Sequence, residues 1–308
     1  MDRNSVDWHG SLPAVVTPFD AGGNIDGKAF RRNIELLIGE GVHGVVVSGC
    51  TGEFWAMTAD ERKRLFKLGV EAAAGKVPVI GGTSAIRTSE VIELTEAAKE
   101  AGCDGAMILP PYFVRPSADD IIAHFAAVSD AVEIPILLYN LPMAAVNALT
   151  PELVGRLADI ENVVAIKESS GDLNNLWMTI RIAGDRIRVL HGFAAELGLV
   201  ALELGSPGYI DSFPNYWGGE STEIYHAVKR GDRKRALELQ NKGLSFRQLI
   251  RDTGRNNYAV IKAMMNLLGR PGGYPRLPLR PLVEPQLSQL RRGMEELGLT
   301  ETAAVAAE

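Results

Sequence analysis

The sequence predicts a (β/α)8 barrel, a TIM barrel, followed by a C-terminal helical appendix. Three observations predict it. Short runs rich in Val, Ile and Leu alternate with segments of helical periodicity. Those runs lack strict apolar–polar alternation, as befits parallel strands covered on both faces. Eight such units fall within roughly the first 220 residues, about the span of one barrel.

The expected strands are 12–17, 44–48, 77–81, 105–109, 134–139, 163–167, 187–191 and 208–210. Between them lie helix signals. Asp26 caps a helix with apolar positions Phe30, Ile34, Leu37 and Ile38, which Gly41 ends. Thr58-Ala59-Asp60-Glu61 has the form of a capping box. Ala101-Gly102 closes a helix, and Ser117-Ala118-Asp119-Asp120 opens the next. Thr150-Pro151-Glu152 puts proline at a first helical position, where no amide donor is needed. A doubly wound sheet would announce a glycine-rich phosphate turn after its first strand. Here the first strand ends in Thr17-Pro18-Phe19-Asp20, which cannot cradle a pyrophosphate.

Beyond residue 222 the strands stop. Residues 224–228, 235–249 and 258–268 read as helices, 275–285 as extended chain and 286–297 as a last helix. The expected division is a barrel over 1–222, a helical region over 223–300 and a disordered tail over 301–308.

Bulk properties narrow the function. Apolar residues form 46% of the 308, so a large core is affordable. A net charge of −6 with both signs interspersed opposes a nucleic-acid role. No apolar run reaches membrane-spanning length, and the N-terminus carries no signal-like segment. The expected location is cytoplasmic. The cysteines, Cys50 and Cys103, are two and unpaired in spacing, and the five histidines are scattered. Neither a protein-bound metal nor any other cofactor is expected.

The most informative residue is Lys167, in Val163-Val164-Ala165-Ile166-Lys167-Glu168-Ser169-Ser170-Gly171. An apolar strand ends in a lysine. By local pattern alone it reads as a solvated loop residue. In a barrel, however, strand ends form the reactive mouth. Desolvation there favours the neutral amine, which is a nucleophile toward carbonyl carbon.

Other strand ends supply Gly49-Cys50-Thr51-Gly52-Glu53, Pro110-Pro111-Tyr112-Phe113 and Tyr139-Asn140-Leu141-Pro142. With Ile166-Lys167-Glu168-Ser169-Ser170-Gly171 and the late Arg276-Leu277-Pro278-Leu279, these make the chain resemble the dihydrodipicolinate synthase / N-acetylneuraminate lyase family of pyruvate-dependent aldolases. The resemblance runs from Leu12 to Leu297. It implies a lyase in which Lys167 forms an imine with pyruvate or another 2-keto acid, and Tyr139 shuttles protons. Gly49, Cys50 and Thr51 would bind the substrate, the glycines letting backbone amides approach a carboxylate. Ile210 would contribute through its backbone. Glu53 is expected to brace its loop. A homotetramer built as a dimer of dimers is implied.

Three positions depart from the family's pattern. Cys50 stands where a hydroxyl residue usually joins a relay between two tyrosines. Phe113 falls at the second tyrosine of that relay, and Tyr112 cannot be assumed to replace it. Ala144 replaces the arginine with which dihydrodipicolinate synthases hold the carboxylate of aspartate semialdehyde. The expected activity is therefore a Schiff-base lyase: aldol cleavage, condensation, or dehydration of a keto-deoxy acid. The alternatives are dihydrodipicolinate synthase itself and a non-catalytic keto-acid-binding homologue. Trp55, Met143, Phe193 and the segment Tyr209–Asn215 suggest a second substrate with an apolar portion, or packing at a subunit contact.

Overall fold

The computed structural model describes residues 1–299; the expected tail over 301–308 lies outside the described residues. Eight parallel strands form one sheet: β1 (Gly10–Ser11), β2 (Val45–Val47), β3 (Val79–Gly82), β4 (Gly105–Ile108), β5 (Ile136–Asn140), β6 (Val163–Glu168), β7 (Arg188–His191) and β8 (Gly208–Tyr209). Neighbours in space follow chain order, with β8 beside β1. The ring closes where Ala14 bridges Val46, with the Val15 amide donating to the Val46 carbonyl at 2.9 Å. This is the expected (β/α)8 barrel.

Prolines account for the main differences in strand bounds. The first strand was expected over 12–17, yet regular pairing covers only Gly10–Ser11. Pro13 offers no amide, so the chain on either side of it pairs in single steps, through Leu12, Ala14 and Val15. Pro78 and Pro135 likewise delay β3 to Val79 and β5 to Ile136.

The helices packed around the sheet are α1 (Gly27–Gly39), α2 (Ala59–Ala73), α3 (Thr88–Glu100), α4 (Ala118–Ala131), α5 (Pro142–Ala145), α6 (Pro151–Leu157), α7 (Leu173–Ala183) and α8 (Ala194–Glu203). The Thr58–Glu61 capping box is present, with the Thr58 amide donating to the Glu61 carboxylate at 2.9 Å. Ser117 and Asp120 form a second one. Val47, Ile108, Leu138 and Ile166 face outward onto these helices, in a layer with Leu65, Leu94 and Phe125. Val46, Ile80, Leu137, Ala165 and Leu190 fill the barrel interior.

The helical region holds α9 (Pro214–Trp217), α10 (Gly219–Lys229), α11 (Arg233–Asp252), α12 (Asn257–Leu267) and α13 (Gln286–Glu296). The helix α10 runs through the expected boundary at residue 222. Tyr216, Trp217, Phe246, Ile261 and Leu290 belong to a second core, which also takes in Val16, Leu202 and Tyr209 of the barrel. Among the described residues no helix is long and apolar enough to cross a membrane.

Candidate active site

The site begins with a change of phase in β6. Along β5, Ile136 and Leu138 face outward while Leu137 and Tyr139 face the barrel interior. Between the first two pairs, Ile136 with Val163 and Leu137 with Ala165, the register shifts by one residue on β6. Val164 is the extra residue, and bulges of this kind re-aim the side chains that follow. Ala165 therefore comes into phase with Leu137, and Lys167 pairs with Tyr139.

Lys167 is 5% exposed. Its Nζ stands 4.3 Å from the centroid of the Tyr139 ring. Burial pulls the amine down to about 8 from an ordinary 10.5, and the Cys50 and Asp211 groups oppose that fall. Lys167, which local pattern alone would leave in a solvated loop, is a desolvated amine at the barrel mouth, where the barrel reading puts it. Tyr139 is equally buried, and burial pushes its phenol well above the ordinary value, with Cys50 and Tyr258 adding to the rise. The phenol interacts with the Cys50 thiol and the Ser169 hydroxyl. A β-carbon at Gly192 would fall 1.7 Å from that hydroxyl, so only glycine leaves Ser169 its place.

The strand end is held rigidly. Glu168 accepts from the Asn140 side chain at 3.1 Å and from the Ser170 amide at 2.7 Å. These bonds fix the backbone immediately after the amine. His191, opposite Glu168 on β7, is 1% exposed, and burial together with Lys167 lowers it to about 4, leaving a neutral ring.

The glycine-rich turn follows β2. Ser48 and Glu53, at its two ends, both take left-handed backbone with φ of 56° and 57°. Such conformations cost energy in residues with side chains and persist only where the surroundings impose them. Glu53 shows what imposes this one. Its carboxylate is fully buried, forms an ion pair with Lys262 of α12, and accepts from the Arg276 amide at 3.1 Å. Arg276 also holds Glu61 at 2.5 Å. The Phe19 ring meets both cations, its centroid 4.3 Å from Lys262 Nζ and 4.1 Å from the Arg276 guanidinium carbon. The brace expected of Glu53 is this ion pair. Gly52 packs so tightly that a β-carbon would fall 3.1 Å from the Val15 carbonyl oxygen.

A cavity of about 250 Å³ opens on Lys167, Tyr139, Cys50 and Thr51. Four of the six expected site residues are therefore gathered. Gly49 stands behind Cys50 and is not among the lining residues. Ile210 is fully buried in the barrel interior, its amide bonded to the His191 carbonyl at 2.8 Å. Its side chain does not line the cavity; the next residue, Asp211, does. Burial raises the Asp211 carboxyl to about 7, against the pull of Lys167.

The sequence reading missed residues from the helical region. Arg247, Asn256, Asn257 and Tyr258 line the same cavity. Arg247 donates to Glu196 at 2.8 Å and to Asn257 at 2.8 Å. Tyr258 packs against Trp55, with ring centroids 4.9 Å apart and the planes tilted at 45°. No strand-end rule could find these residues, because helices carry them to the mouth. Asp211 had a signal, an acid immediately after a strand. Phe113 is 86% exposed and does not line the cavity, and Ala144 presents only a methyl to it. Among the described residues no group of three or more His, Cys, Asp or Glu is placed to hold a metal ion.

Barrel, mouth and buried amine together are those of a class I, Schiff-base-forming lyase. The model of the dihydrodipicolinate synthetase family matches residues 7–297, and the chain belongs to that family. It is 38% identical over 289 residues to a 4-hydroxy-tetrahydrodipicolinate synthase of Methanoculleus marisnigri, covering 92% of this chain and 98% of the relative. It is 35% identical over 292 residues to an uncharacterised DapA-like lyase of Rhizobium meliloti, covering 95% and 97%. Among solved structures it resembles YagE of Escherichia coli K12 in complex with pyruvate, with a TM-score of 0.90, 32% identity and coverage of 96% and 100%.

Proposed function

We propose that Lys167 is the imine-forming residue and Tyr139 the proton shuttle of this lyase. The observation that carries the reading is the desolvated Lys167 amine over the Tyr139 ring, in a cavity with Cys50 and Thr51. The neutral amine attacks C2 of a 2-keto acid, and the Tyr139 phenol protonates the carbonyl oxygen, which leaves as water. In the cleavage direction the C4 hydroxyl loses its proton and the C3–C4 bond breaks. Its electron pair passes to the imine nitrogen, giving an aldehyde and the enamine of pyruvate. Protonation at C3 and hydrolysis then release pyruvate and restore the amine. Cys50 and Thr51, with the Gly49 backbone behind them, serve the keto acid carboxylate, and Ile210 fixes the β8 end. Borohydride reduction in the presence of pyruvate tests this. The expected product is a covalent adduct on the Lys167 peptide, absent from Lys167→Met; a folded protein without the adduct overturns the reading.

A second reading, condensation of pyruvate with aspartate semialdehyde, is favoured by relatives named 4-hydroxy-tetrahydrodipicolinate synthase. Against it stands Ala144, whose methyl lines the cavity where a guanidinium would clamp a carboxylate. A direct assay with aspartate semialdehyde decides between the two. The proposal includes a cytoplasmic enzyme that assembles as a homotetramer, supported by the exposed apolar side chains of Phe113, Met143 and Leu277. Sedimentation of the full chain tests the assembly.

A further inference from the structure

Asp211 is a carboxyl that the scheme above does not use. It is 7% exposed, and its Oδ1 has no hydrogen-bond partner among the described residues. It lines the cavity of Lys167. Its own backbone is occupied elsewhere, the carbonyl accepting from the Ala14 amide at 2.7 Å. A buried carboxyl oxygen without a partner is costly and asks for a donor from the ligand.

Position decides which donor. Lys167 on β6 lies between Tyr139 on β5 and the β7–β8 side of the ring. Tyr139 is placed to serve the oxygen on the reacting carbon. Asp211 follows β8, on the other side of the amine, and is left for the next oxygen along the chain. A cationic ligand group would meet Lys167 and Arg247 in the same cavity. A hydroxyl supplies one donor and adds no charge. Glu196 is already held by Arg247 and Arg251, at 2.8 and 3.3 Å, so the neighbouring acid does not compete for it.

We infer that Asp211 is a specificity-determining residue: it accepts a hydrogen bond from a hydroxyl on the carbon next to the reacting carbonyl. The second substrate is thereby a 2-hydroxyaldehyde, or in the reverse direction a 2-keto acid hydroxylated at C4 and C5. This rests on the imine reading of Lys167. A site built to bond a hydroxyl discriminates strongly against the analogue lacking it, because its buried acceptor is then left unpaired.

The test compares lactaldehyde with propanal, which differ by one hydroxyl, as partners of saturating pyruvate. For the full chain, kcat/KM is expected to favour lactaldehyde by about tenfold or more. Asp211→Ala is expected to bring the ratio close to one, while the borohydride adduct with pyruvate persists. Asp211→Asn, of equal size, keeps a neutral and weaker acceptor and is expected to show a reduced preference; it serves if the alanine variant does not fold. A natural protein indifferent to the hydroxyl, or folded variants that keep the full preference, overturns the inference. An unmodified Lys167 in the natural protein instead overturns the imine reading, and this inference with it.

Discussion

Lys167 and Tyr139 occupy paired positions on β6 and β5, and the amine nitrogen lies 4.3 Å from the centre of the phenol ring. The ring face favours the ammonium form, whereas burial disfavours it. Burial wins, and the amine falls to about 8. Cys50, Asp211 and His191 are the other titratable groups coupled to it.

The sign of the pH effect follows. Below pH 8 both folded and unfolded chains carry the charge, and its burial cost is complete. Between 8 and 10.5 only the unfolded chain keeps the proton, so that cost falls away as pH rises. Lys167→Met is expected to be more stable than the natural chain by about 2–3 kcal/mol at neutral pH. The gain should shrink toward zero at pH 10.5. Urea unfolding at both ends of that window checks it; a constant difference would contradict the desolvated amine. The rate of imine formation should rise with pH up to about 8.

Cys50 is the contact of the Tyr139 phenol on the side of the glycine-rich turn, and burial holds its thiol protonated above the ordinary value. Thiols are poor hydrogen-bond partners. Cys50→Ser should keep or raise kcat, while Cys50→Ala should lower it by up to about a hundredfold, the low end for one proton-transfer partner. Alkylation of Cys50 at neutral pH should be much slower than that of a free thiol.

Tyr258 places a second phenol at this cavity, its hydroxyl raised by burial and by Cys50. Tyr258→Phe keeps the packing on Trp55 and removes only the hydroxyl. A fall in kcat with an undiminished pyruvate adduct is expected. Tyr258→Ala should also cost about 1 kcal/mol of stability through the lost ring contact. If phenylalanine leaves kcat untouched, the phenol has no part in proton movement.

Glu53 and Lys262 are both fully buried. Glu53→Ala leaves an uncompensated ammonium between Phe19 and the Tyr274 carbonyl, which accepts from Lys262 at 2.8 Å. Breaking such a pair costs about 3–5 kcal/mol. Replacing both partners, Glu53→Gln with Lys262→Met, should recover part of it. Chemical denaturation of Glu53→Ala, of Glu53→Gln and Lys262→Met singly, and of the double variant measures this; a double variant whose loss is the sum of the Glu53→Gln and Lys262→Met losses would refute the pairing.

The barrel was legible because parallel strands buried on both faces leave runs such as Val163–Ile166, and caps such as Thr58–Glu61 punctuate the helices between them. Pro13, Pro78 and Pro135 were visible too, but their effect on strand starts depends on which amide each ladder needs. Lys167, Tyr139, Cys50 and Thr51 were found because strand ends converge on one mouth. Arg247, Asn257 and Tyr258 were not, since their helices reach that mouth by packing across distances no local pattern encodes. The register shift at Val164, which aims Lys167 inward, likewise exists only once β5 and β6 are paired.

The Glu53–Lys262 pair also bears on the order in which the protein matures during synthesis. The turn that carries Cys50 and Thr51 leaves the ribosome some two hundred residues before its anchor. Until Lys262 and Arg276 have emerged, the left-handed backbone at Glu53 has nothing to impose it. A nascent barrel thus holds its lysine without a finished cradle. The cavity around Lys167 is likewise complete only once Arg247, Asn256 and Tyr258 have been added to it, so the mouth is among the last parts of the molecule to take its final form.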